Sequence, residues 1–151
     1  MTFALSRTTS KPLSTATTRY AAGVNLEKVV FGFFVLLAAT LNFGFFVGDI
    51  SDPEVHNSWE LFLALVVALI TTILKFGDST QLGAVHLATS LVALLQLAAA
   101  AGMWVWASHV SPNGLDGHDT ASVVSLSGGA LLANLVSVTL LVVETASFRR
   151  R

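Results

Sequence analysis

The chain contains no cysteine among its 151 residues. That excludes disulfides, thiolate zinc sites, cysteine-ligated iron–sulfur clusters and thiol nucleophiles. Charge is scarce too: only 11% of residues are Asp, Glu, Lys or Arg, where an average soluble domain carries about a quarter. Eight basic residues face nine acidic ones, a formal net charge of −1. No overall basic field exists to hold phosphates, so nucleic acid is not an expected partner. HExxH and EF-hand spacings, a phosphate-cradling glycine loop and a nucleophile–base pair are also missing. No catalytic residue, metal ligand set or cofactor is therefore expected, and the chain reads as non-enzymatic.

What remains is apolar. Hydrophobic residues make up 54% of the chain, with a mean hydropathy of +0.73. Four runs, at about 29–48, 58–76, 82–107 and 121–147, approach or exceed the roughly 20 apolar residues that cross a bilayer. Each is apolar nearly all round, unlike the one-sided helices of a soluble bundle. The first run lies too far inside the chain and is too long for a signal peptide. The expected fold is all-α: a polytopic membrane protein with four transmembrane helices in an up-down-up-down antiparallel bundle over 26–148. A Ser/Thr-rich basic tail, 1–25, precedes it, and a basic end, 149–151, follows.

Lysine and arginine set the expected orientation. Arg7, Lys11, Arg19 and Lys28 precede the first span, Lys75 sits between spans two and three, and Arg149, Arg150 and Arg151 close the chain. The other two loops hold none. The positive-inside rule then places both termini in the cytoplasm, with Lys28, Lys75 and the three arginines as cytoplasmic anchors. Trp59, Trp104 and Trp106 fall at the opposite ends of their spans, where indoles favour the interface. The 1–25 tail also has the acid-free, Ser-rich bias of a transit peptide, although its helical period is weak.

Polar residues inside spans are the best functional clues, because they are costly in lipid. Counted at 1.5 Å per residue, Asn42, Glu60, Gln96 and Asn134 all reach roughly 18–22 Å from the basic side. They are expected to form an intramembrane polar layer, serving either a cation, proton or small solute, or helix packing alone. Each lies on an i, i+3/i+4 stripe, such as Ser127, Ala130, Asn134, Ser137, Leu141 and Glu144 in span four. His86 is a candidate pH-sensitive group near the basic end of span three. Glu144 reads as a membrane-exit anchor beside the terminal arginines, which suit anionic lipid. "GFFVG", Gly44 to Gly48, matches GxxxG. Asp49, Asp52 and Glu54, with His56, crowd one outer loop; Asp116 and Asp119, with His109 and His118, crowd the other. These fit no metal-binding spacing and are expected to form a solvated acidic face.

The blocks "TLNFGFF", "LKFGDSTQLGA" and "SLSGGALLAN", within roughly 25–146, resemble a family of small bacterial integral membrane proteins of unknown function. The resemblance implies a bacterial cytoplasmic membrane, and it transfers no site residues. Three roles follow as expectations. The first is an auxiliary or assembly subunit of a larger membrane complex, such as a cation channel or transporter. The second is a homo-oligomer that conducts an ion or small solute through the polar layer. The third is a pigment- or cofactor-packing subunit of an energy-converting complex, using His86 or the aromatic first span. The lipid bilayer is the surrounding partner in all three.

Overall fold

In a computed structural model, residues 26–148 are described; the 1–25 tail and Arg149, Arg150 and Arg151 lie outside the described residues. Four helices form: α1 (Leu26–Phe46), α2 (Ser58–Lys75), α3 (Gln81–His109) and α4 (Gly117–Phe148), with a short 3-10 turn at Pro53–Val55. All four are long and apolar enough to cross a membrane. The chain is a multi-pass membrane protein.

Local chemistry sets the helix ends. Asn57 caps α2 by accepting the Trp59 N–H at 3.1 Å, and Thr80 caps α3 by accepting the Gly83 N–H at 2.9 Å. Asp116 takes the Asp119 N–H at 2.8 Å, so α4 begins at Gly117, four residues before the apolar run. His118 and Asp119 thereby belong to its first turn rather than to a loop. After α2, Gly77 turns the chain at φ 92°, a conformation that favours glycine. Gly48 lies beyond the end of α1 at φ 141°, against Val55, so "GFFVG" is not a helix-face motif.

Each helix packs on its two ring neighbours, α1 on α2 and α4, and α3 on α2 and α4. Cross-helix partners fix antiparallel registers. Lys28 meets Glu144, Asn42 meets Ser127, and Thr89 meets Ser137. Small residues bring the backbones close. A Cβ on Gly128 would stand 2.8 Å from the Phe46 ring, and one on Gly32 would stand 2.9 Å from Leu141. Such contacts matter because lipid tails are as apolar as leucine, leaving packing and hydrogen bonds to hold helices together. The stripes 32, 35, 39, 42 of α1 and 127, 130, 134, 137 of α4 are buried. Phe33, Leu36, Ile73 and Leu95 face outward instead.

Candidate functional site

The ion pairs between described side chains gather at the end that carries the lysines. Lys75 closes α2 and is only 7% exposed. It donates to Asp78 at 3.0 Å and lies 4.4 Å above the Phe31 ring. Asp78 also accepts the Thr80 hydroxyl at 2.7 Å and the Thr80 N–H at 3.1 Å. The Thr80 hydroxyl, then its N–H, then Lys75 hold the Asp78 carboxyl at about 2, below its ordinary 3.8. A Cβ on Gly83 would collide with that carboxylate. The block "LKFGDSTQLGA" is thus one interlocked turn: cation, tight glycine, anion, cap and a helix start without a side chain.

Across the same end, Lys28 of α1 pairs with Glu144 of α4 at 2.5 Å. His86 sits behind both ion pairs, 1% exposed. Its Nε2 is 3.8 Å from Glu144 Oε2, beyond direct hydrogen-bond reach, and its ring meets Phe31 edge-on at 5.1 Å. Both ring nitrogens are buried without a hydrogen-bond partner. A cavity of about 870 Å³ opens here, lined by Glu27, Lys28, Lys75, Asp78, Thr80 and Glu144 among others. Opposite charges largely cancel at its wall. Such a wall suits water, a proton or a small zwitterion better than an anion.

The four polar residues expected to share a level occupy different surroundings. Asn42 is fully buried, and its carbonyl oxygen accepts the Ser127 hydroxyl. Gln96 lies against Gly129, whose missing side chain makes room for it, and Glu60 is half-buried against Gly44 in the same manner. Asn134 is buried about two turns nearer the basic end than Ser127, roughly 10 Å along α4. Beyond Asn42 and Ser127, toward the acidic loops, the interior is mostly apolar: Phe45, Leu61, Val123 and Val124 are at most 1% exposed, and the buried Thr120 and His56 meet backbone carbonyls.

The acidic residues mostly serve their own backbone. Asp49 accepts the Ser51 N–H and hydroxyl, which lower its carboxyl below the usual range. Asp52 caps the 3-10 turn by accepting the Glu54 N–H, and Asp116 starts α4. Glu54 and Asp119 stand in the first turns that follow. No cluster of three or more His, Asp or Glu residues able to hold a metal occurs among the described residues. His56 is buried between the Phe45 carbonyl at 2.6 Å and the Asp49 carbonyl at 2.9 Å, stitching the end of α1 to the loop before α2. That clasp was not legible in the sequence, because a loop histidine among acids reads as part of a solvated face. The Lys28–Glu144 contact was missed for another reason: its partners are 116 positions apart.

No curated protein and no solved structure matches the chain. A family model does match, over residues 55–145. That region holds α2, α3 and nearly all of α4, hence the Lys75–Asp78–Thr80 turn, His86, Asn134 and Glu144. The chain belongs to this family, a family of unknown function (DUF6394).

Proposed function

We propose that the protein is a non-enzymatic subunit of a larger membrane complex in the bacterial cytoplasmic membrane, with its basic end and both termini in the cytoplasm. It acts as an auxiliary or assembly component, through contact with other transmembrane segments. One observation carries the reading: polar side chains of all four helices point into their own bundle, while a packed apolar plug fills the acidic end. A bundle built that way offers lipid and neighbouring helices a largely apolar exterior. The positive-inside distribution supports the orientation, and the resemblance of the three sequence blocks supports the bacterial membrane.

The test is purification of the tagged protein from its native membrane in mild detergent, followed by native mass spectrometry of the intact assembly. A stoichiometric foreign subunit is the expected result, and its identity names the process. A pure homo-oligomer would overturn the auxiliary role. It would favour conduction instead, in which case Glu60→Gln should reduce flux through proteoliposomes.

A further inference from the structure

Among the described residues, six buried side-chain atoms have no hydrogen-bond partner: both ring nitrogens of His86, Ser90 Oγ, Gln96 Oε1, Asn134 Nδ2 and Asn42 Nδ2. Their positions are ordered. His86 and Ser90 are one turn apart on α3, both buried, and Thr89 beside them bonds Ser137 of α4 at 2.5 Å. The Thr89–Ser137 and Gln96–Gly129 contacts fix the register of α3 on α4. Lys28–Glu144 and Asn42–Ser127 fix that of α1. Measured along α4 from Glu144, the groups follow in the order His86, Ser90, Asn134, Gln96 and Asn42, over about 25 Å, with axial steps no greater than about 8 Å. One or two water molecules bridge a step of that size. Buried polar groups that lack protein partners are ordinarily satisfied by internal water, and an apolar void is not.

The two ends of this line differ. At its mouth is the Lys28–Lys75 cavity, separated from His86 by the Glu144 carboxylate. At its far end stand Phe45, Leu61, Val123 and Val124, packed without exposure. We propose that the basic-end part of the bundle interior is a dead-end file of water, filled from the Lys28–Lys75 cavity, with His86 as the proton-binding group at its mouth. The charged groups around His86 are Glu144 of α4, which Lys28 of α1 holds, Lys75 of α2 and Asp78 of the turn. Protonated His86 attracts the free oxygen of Glu144, which Lys28 holds by the other; neutral His86 leaves that pair undisturbed. The file belongs to the single chain and does not depend on whether a foreign subunit is present.

Water-edited solid-state NMR on the labelled full chain in liposomes tests this directly. Water magnetisation is expected to reach the His86 ring and the Asn134 and Gln96 side-chain amides as quickly as it reaches Thr80 at the mouth. Val123 and Ala101 are expected to lag. Amides that lag with Val123 would mean a dry core and overturn the file. In Ser90→Val/Asn134→Leu, transfer to Gln96 should fall while transfer to His86 persists. Unchanged transfer to Gln96 would overturn filling from the basic end. The His86 ring nitrogen shifts should follow bath pH in the unmodified chain. Shifts that ignore pH while the amides stay wet would overturn the proton-binding role alone.

Discussion

Toward the acidic loops, Phe45, Leu61, Ala101, Val123 and Val124 fill the bundle, the Phe45 ring standing edge-on to Trp104 at 5.7 Å. Toward the lysines, the same four helices enclose His86, Ser90, Thr71, Thr72, Ser137 and Asn134. The hydroxyls of Thr71 and Thr72 return to carbonyls of their own helix at 2.8 Å, whereas His86 and Ser90 are left without partners. The contrast separates what holds the bundle together from what makes it responsive. In lipid there is little hydrophobic gain in bringing helices together, so stability rests on close packing, which the apolar end supplies. The polar end gives up some of that packing for groups that interact with water and protons.

The sharpest break of this contrast is Phe45→Ala, which opens a cavity in the plug and removes the ring contacts to Trp104 and His56. A loss of about 3–5 kcal/mol is expected in reversible SDS/maltoside unfolding. Ser90→Ala, by contrast, should be close to neutral, since it deletes an unpartnered hydroxyl. Equal losses in the two variants would erase the distinction between the ends. Next in size is Thr80→Ala, which removes the α3 cap and the hydroxyl that Asp78 accepts, costing about 1 kcal/mol by the same assay. A double-mutant cycle on Asn42→Leu and Ser127→Ala should give a smaller coupling, about 0.6 kcal/mol. It measures the Asn42–Ser127 hydrogen bond between α1 and α4 at the border of the plug.

The smallest effect is read from how stability depends on pH. The Asp78 carboxyl is lowered from 3.8 to about 2, so its contribution is complete above about pH 4 and fades as pH falls from there toward 2. Asp78→Asn should therefore lower stability at neutral pH and flatten that acid limb. Parallel acid limbs in the variant and the unmodified protein would show that the turn does not depend on this carboxylate.

Spans and stripes were readable because each depends on local sequence: a run long enough for the bilayer, a lysine at a turn, an apolar period. Expected spans and observed helices differ mainly at their ends, where Asp116 and Thr80 caps extend α4 and α3 beyond the apolar residues. The candidate site was only partly visible. Lys75, His86, Lys28 and Glu144 were each noticed, but as separate anchors and a lone histidine. Depth counting from each basic end put Asn42 and Asn134 at one height, because it treats the helices as starting from a common plane. Residue-by-residue contacts place Asn134 about 10 Å nearer the basic end than Ser127, the partner of Asn42.

Sequence by itself therefore determined the membrane, the number of crossings and which residues face inward, since hydropathy and helical period act within one segment. Only the tertiary structure decided that Glu144 lies between Lys28 and His86, that Lys75 covers Phe31, and that the inward polar residues form a line instead of a ring. Those facts depend on the axial register between helices that are far apart in the chain. Register is set by which side chains fit the gaps at Gly32, Gly44, Gly128 and Gly129, a matter of shape between helices that no single stretch of sequence records.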